Sequence, residues 1–228
     1  MKHLVIGDLH GKDCWKEISI NDYDKVVFIG DYVDHWTLPD HIITQNLLGI
    51  IELKKKHPET IELLLGNHDV QYLHYPHFLC SGFRPQMQRK LTAIFDYNRH
   101  LFNISYQQGQ HLFSHAGVTN AWYEEFLELA VLGQIRDEND TIADLFNKIE
   151  RTAKRDLLHR AGRIRGGWGA GGVSWADKSE LIADALEGYH QVVGHTVTME
   201  IETHRFEGKS VTFTDVLDYQ VRFYEIDC

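Results

Sequence analysis

Three short apolar runs near the start of the chain each stop at a glycine that is followed at once by acidic, amide or imidazole side chains. They are Leu4-Val5-Ile6 before Gly7-Asp8-Leu9-His10-Gly11, Val26-Val27-Phe28-Ile29 before Gly30-Asp31-Tyr32-Val33-Asp34-His35, and Ile61-Glu62-Leu63-Leu64-Leu65 before Gly66-Asn67-His68-Asp69. An apolar run this short, closed by a turn residue, reads as a buried strand. Side by side, the three strands would bring their polar ends together, and open α/β sheets collect their sites outside the carboxyl ends of strands.

Within the first block, Asp8 and His10 are two residues apart, so in extended chain they point the same way and a carboxylate and an imidazole can grip one ion. Taken alone, the pair is equally a turn aspartate and a surface histidine. Asp31 ends the second strand, and a carboxylate has two oxygens with which to bridge two cations. Asp34 follows three residues on, where an aspartate at a helix N-terminus is the plain alternative.

Two later blocks repeat the design: Ser114-His115-Ala116-Gly117 and Gly194-His195-Thr196. With GDLHG, GDYVDH and GNHD they form an ordered series from residue 7 to 196 that resembles the calcineurin-like metallophosphoesterases. The nearest branch is the phosphoprotein phosphatases, with bacterial and phage-type Ser/Thr phosphatases and diadenosine tetraphosphatase relatives. Fifteen histidines raise the chance of an accidental motif, but only His10, His68, His115 and His195 fall in matching blocks, with His35 at an altered one.

The resemblance implies a four-layer α-β-β-α sandwich of two mixed β-sheets and a dinuclear metal site. Asp8, His10 and Asp31 would hold the first ion, and Asp31, Asn67, His115 and His195 the second. The oxygen and nitrogen donors suit Mn²⁺, Fe or Zn²⁺ without choosing among them, and Mn²⁺ is the first expectation. His68 would be the general acid, with Asp34 accepting its hydrogen bond. Phosphoprotein phosphatases carry arginine then glycine where this chain has His35 and Trp36, and an imidazole does not replace a bidentate guanidinium on equal terms. His35 is either a one-bond phosphate donor or a loop residue. Arg163 or Arg165, in the Gly-rich stretch 163–172, would supply the missing clamp, or that stretch is a plain flexible loop. It contains GxGxxG, but after a helix, so a dinucleotide fingerprint fails its context.

Elsewhere the pattern predicts helices over 40–56, 87–101, 121–132, 141–160 and 181–186, and a hairpin of 104–107 with 111–114 about Gly109. The first helix would bury Ile42, Ile43, Leu47, Leu48 and Ile51. Runs at 199–206, 209–214 and 220–226 alternate with period two and would supply a second sheet but no ligands. The aromatic stretch 70–85 is either a wall over the cleft or satellite core.

At 228 residues and with only four prolines the chain is expected to be a single domain, 1–228. Its net charge of −10 repels polyanions and disfavours nucleic acid as a partner. Cys14, Cys80 and Cys228 are odd in number and lack CxxC spacing, which suggests neither a disulfide framework nor a thiolate zinc site and fits a reducing cytosol. Met1-Lys2-His3 leads directly into a strand, leaving no room for a cleavable signal, and no apolar run approaches a membrane span. A cytoplasmic enzyme acting on a phosphorylated substrate is expected. Phosphoserine or phosphothreonine in protein comes first, a dinucleoside polyphosphate or nucleotide second, and a catalytically silent metal-binding scaffold is the alternative outside enzymes.

Overall fold

The computed structural model describes residues 1–129 and 131–228. Its strands are β1 (Lys2–Ile6), β2 (Lys25–Phe28), β3 (Ile61–Leu64), β4 (Phe102–Asn103), β5 (Ser105–Gln108), β6 (His111–Ser114), β7 (His190–Val193), β8 (Glu202–Phe206), β9 (Lys209–Phe213) and β10 (Tyr224–Asp227). They form two mixed sheets, ordered β10-β1-β2-β3-β4 and β5-β6-β7-β9-β8. β1 to β4 run parallel in the first, and β6, β7 and β9 run parallel in the second, with antiparallel strands at the edges.

The helices are α1 (Asp40–Lys56), α2 (Asn67–Leu73), α3 (Gln88–Tyr97), α4 (Asn120–Leu127), α5 (Leu132–Ile135), α6 (Ile142–Glu150) and α7 (Lys178–Asp184). Period-two alternation sorts the strand side chains into layers. Leu4 and Ile6 of β1 pack with Ile43, Leu47, Ile50 and Ile51 of α1. Val5 between them joins Val27, Ile29 and Leu64 of its own sheet and Phe113 and Val192 of the other. On the far side, Val193, Val211 and Phe213 pack under Leu181 and Ala185 beside α7. The result is the helix-sheet-sheet-helix sandwich expected from the resemblance, with each fully buried Leu, Ile or Val contributing about 1.5–3 kcal/mol.

Several local expectations change. The run near 220–226 is not part of the second sheet: β10 pairs with β1, Lys2 opposite Asp227, and extends the first. The helix expected over 141–160 ends at Glu150. There the Thr152 hydroxyl donates to the Ile149 carbonyl at 2.8 Å and accepts from Lys154 N at 3.0 Å. A hydroxyl so engaged offers the backbone an alternative to the helical ladder and turns the chain away from it. The helix expected over 121–132 is α4, ending at Leu127, and α5; the intervening Ala130 lies outside the described residues. Residues 87–101 hold α3 flanked by 3₁₀ turns. In α1 the buried stripe runs Ile43, Leu47, Ile50, Ile51, spaced i, i+4, i+7, i+8. Ile42 and Leu48 lie off it and are exposed. Among the described residues no helix is long and apolar enough to cross a membrane.

Candidate metal centre

The carboxyl ends of β1, β2, β3, β6 and β7 converge, and each carries one of the singled-out blocks. His10 Nδ1 is 2.8 Å from the Val33 carbonyl and His115 Nδ1 is 3.1 Å from that of Ile29. A carbonyl only accepts, so both rings carry their proton on Nδ1 and keep a lone pair on Nε2. Both lone pairs are turned to one atom, Asp31 Oδ2, at 3.7 Å from His10 and 3.4 Å from His115. Asn67 Oδ1 lies 2.9 Å from His115 Nε2 and 2.9 Å from His195 Nδ1, and those two nitrogens are 3.1 Å apart. Asp8 is grouped with Asp31 and His115 within 4.8 Å.

Around Asp31 Oδ2 and Asn67 Oδ1 the Nε2 lone pairs of His10 and His115 thus face other acceptors with no proton of their own to share, while His195 Nδ1 is placed to donate or accept according to its tautomer. Separations of this size are the edges of a coordination polyhedron about an ion with ligand bonds of about 2.0–2.2 Å. The residues present therefore fit metal ions. Asp31 would serve both sides, its Oδ2 facing the two imidazoles while its Oδ1 accepts from the backbone N–H of His68 at 2.9 Å.

The electrostatics agree. Burial, then the neighbouring carboxylates of Asp215 and Asp31, push Asp8 well above the ordinary carboxylate range. Burial also acts to raise Asp31, but His115, His68, His10 and His195 outweigh it and hold it low. Burial lowers His10 and His115, and burial with His115 and Arg165 lowers His195, so the ring nitrogens stay neutral, as ligands must be. Asp215, buried just after β9, is not singled out by the sequence; burial, Asp31 and Asp218 push it up to about 7. Its signal is only a lone aspartate at a strand end.

Close packing makes the cradle. A Cβ at Gly66 would collide with Asp31 Oδ1, and one at Gly194 with Asp8 Oδ1. His10, Asp31, Asp34 and His195 all adopt left-handed backbone, with φ of 46°, 54°, 63° and 65°. Non-glycine residues reach that region at a cost of order 1–3 kcal/mol, which the surrounding structure offsets.

Beside the cluster, His68 Nδ1 is 3.1 Å from Asp34 Oδ2. Asp34 also accepts from Gln71 Nε2 at 2.5 Å and Tyr72 OH at 2.5 Å, two residues not singled out from sequence. The signal is available there: 68, 71 and 72 fall at i, i+3 and i+4, one face of α2. Burial opposes charge on His68, yet Asp31, the Asp34 hydrogen bond and Cys80 raise it well above an ordinary imidazole. Asp69 accepts from the backbone N–H groups of Asp31, Tyr32 and Gly66 at 2.7, 2.9 and 2.9 Å, locking the second block to the third.

Of the residues considered for substrate, Arg165 lies at the site: NH2 donates to Thr196 Oγ1 at 2.9 Å, next to His195, and Nε is 2.9 Å from Asp177 Oδ2. Arg163 is exposed, with no side-chain hydrogen bond or ion pair to the described residues. His35 Nδ1 accepts from Thr37 N at 3.1 Å and Leu38 N at 3.0 Å, which leaves Nε2–H as its donor.

A second His/carboxylate group joins α2 to α6 away from this centre. Glu150 holds His74 Nε2 and His159 Nε2, each at 2.6 Å. It is not a metal site: Arg155 NH1 donates to His74 Nδ1 at 3.1 Å, so Nε2 carries the proton and has no lone pair to give.

Residues 1–199 match a family model described as calcineurin-like phosphoesterase. A comparison with curated protein sequences found no match. Among solved structures, a cold-active protein-tyrosine phosphatase of a psychrophilic Shewanella is 17% identical with TM-score 0.55, covering 94% of this chain and 71% of that one. A protein serine/threonine phosphatase from Saccharomyces cerevisiae is 17% identical with TM-score 0.53, covering 93% of this chain and 67% of that one. Both likenesses are of fold.

Proposed function

The chain belongs to the calcineurin-like phosphoesterase family, and we propose that it is a metal-dependent phosphomonoester hydrolase acting on phosphoserine and phosphothreonine side chains. The observation that carries it is the convergence of Asp31 Oδ2, His10 Nε2, His115 Nε2 and Asn67 Oδ1 beside the His68 imidazole, whose Nδ1 is 3.1 Å from Asp34 Oδ2. Asp8, His10 and Asp31 would hold one divalent cation, and Asp31, Asn67, His115 and His195 the other. Bound there, Mn²⁺, Fe or Zn²⁺ lowers the pKa of a water and polarises the phosphoryl oxygen.

The chain's own groups supply the rest. His68, its Nδ1–H held by Asp34, gives its Nε2 proton to the ester oxygen as the P–O bond breaks, so the alcohol leaves neutral. Water enters at phosphorus, and no side chain takes the phosphoryl group. Arg165, held beside His195 by its bonds to Thr196 and Asp177, would donate to a phosphate oxygen through its remaining guanidinium nitrogen. Arg165→Ala raising KM for a small aryl phosphate more than it lowers kcat is the check.

A protein substrate is favoured by the rim. Trp36, Ile164, Trp168 and Met199 are exposed on segments adjoining Asp34, Arg165 and His195, a surface on which a peptide can lie. A dinucleoside polyphosphate is the competing substrate, because His35 offers one donor where a guanidinium would hold a terminal monoester. Residues 1–228 are taken as one catalytic domain, supported by the return of β10 to β1, and the three unpaired cysteines suit the cytosol. The test is a phosphoester panel after chelation and add-back of Mn²⁺, Zn²⁺ or Fe²⁺. Phosphopeptide turnover above that of diadenosine polyphosphate is expected, and the reverse ranking would overturn the substrate class.

A further inference from the structure

An asparagine ligand has a built-in ambiguity. Its amide oxygen and nitrogen are nearly the same size, and only the oxygen can bind a cation. In this protein Asn67 Oδ1 is turned to His115 Nε2 and His195 Nδ1, and Nδ2 to the sulfur of Cys80 at 3.5 Å. No other hydrogen bond of Nδ2 to the described residues is present. The same sulfur lies 4.0 Å from the Asn67 carbonyl, so the thiol accepts from the side-chain amide and donates to the main chain of one residue. The sulfur is itself placed, because Cys80 N donates to Gln71 Oε1 at 3.0 Å, and Gln71 Nε2 is committed to Asp34.

We propose that Cys80 is a positioning residue that fixes which end of the Asn67 amide faces the metal centre. This rests on the reading of Asn67 as a ligand to one of the two cations. Without the sulfur, Nδ2 has no partner to hold it outward, and the flipped amide turns its N–H groups toward the place a cation must occupy. Through Gln71, the same loop ties this orientation to the carboxylate behind His68, so Asn67 and His68 are set by one short network.

Metal binding to the full chain, stripped and titrated with Mn²⁺ against a competing chelator, tests it without reference to turnover. Cys80→Ala is expected to weaken one of the two binding steps by roughly 10–100-fold, the usual effect of losing a partner behind a metal ligand, and to leave the other step and the metal-free melting temperature unchanged. Cys80→Ser, which keeps an acceptor on a shorter bond, should fall between alanine and wild type, and Cys14→Ala should match wild type. Wild-type binding by Cys80→Ala, or serine no better than alanine, overturns the inference. Asn67→Ala separates the two claims: if it loses one step while Cys80→Ala loses none, only the role of Cys80 fails; if Asn67→Ala also binds as wild type, the ligand reading fails and the inference falls with it.

Discussion

The backbone N–H of His68 donates to Asp31 Oδ1 at 2.9 Å, which joins the proposed proton donor to the carboxylate proposed to serve both metal positions. Because α2 begins at Asn67, this bond also uses one of the free N–H groups of a helix N-terminus, where a carboxylate is favoured. The bond couples the two groups, so a shift of α2 moves the Asp31 carboxylate and His68 together.

Asp34→Asn should cost roughly 10–100-fold in kcat on a poor leaving group such as a serine phosphate, and less on an aryl phosphate that needs little protonation. Activity requires His68 protonated, so it falls as pH rises through the raised value of the imidazole. Since Asp34 is one of the groups that raise it, the alkaline limb of the variant's kcat–pH profile should move to lower pH. An unmoved limb would assign that titration to another group.

Metal should stabilise the fold. Chelation leaves the buried carboxylates of Asp8, Asp31 and Asp215 close enough to act on one another's charge. Add-back at about 100 times Kd should restore about 2.7 kcal/mol. Asp8, raised by burial, Asp215 and Asp31, is destabilising in its ionised form without the ions. Asp8→Asn should therefore melt higher than wild type when metal-free yet gain little from Mn²⁺. Scanning calorimetry of four samples, each protein with and without metal, decides it.

Gly194→Ala should displace Asp8, since the added Cβ meets both its Oδ1 and, at 3.1 Å, Ile29 Cγ2. A ligand moved by about 1 Å is expected to lower kcat/KM by on the order of 100-fold. Gly133→Ala has nothing within 4 Å of the new methyl and serves as the control, expected to keep wild-type turnover.

Glu150→Gln should destabilise by about 1–3 kcal/mol at neutral pH, because the amide offers one acceptor oxygen where the carboxylate offers two to the buried ring nitrogens of His74 and His159. Burial would raise Glu150, but His159 and His74 outweigh it and hold it far below the ordinary carboxylate range. A depressed carboxylate stabilises above its unfolded value, about 4.3, and loses that contribution as pH falls through the folded one. Urea midpoints should therefore differ most above about pH 5 and converge on acidification; a constant gap would assign the effect to packing.

How much of this is legible without coordinates follows from how local each signal is. Strand ends are local: a short apolar run stopped by glycine names both the strand and the residue presented after it, and the ordered series of such blocks makes Asp8, Asp31, Asn67, His115 and His195 stand out. The helix over 40–56 is legible to the residue for the same reason. Cys80 and Asp215 are not, since each acts through a partner that sequence distance conceals, and the i, i+3, i+4 spacing of His68, Gln71 and Tyr72 gives their shared face but not the Asp34 they meet. Asp34 is 37 residues from Gln71, and Asp215 and Asp8 lie near opposite ends of the chain.

The order of the strand-ending blocks determined which side chains this protein brings to one place, because alternation and chain termination are fixed by each residue and its immediate neighbours. Tertiary structure decided how those side chains are aimed: the left-handed turns at His10, Asp31, Asp34 and His195, the addition of β10 to the first sheet, and the outward hold on the Asn67 amide. Such features are strained or ambiguous on their own, and only packing between distant segments makes one arrangement lower in free energy than its alternatives.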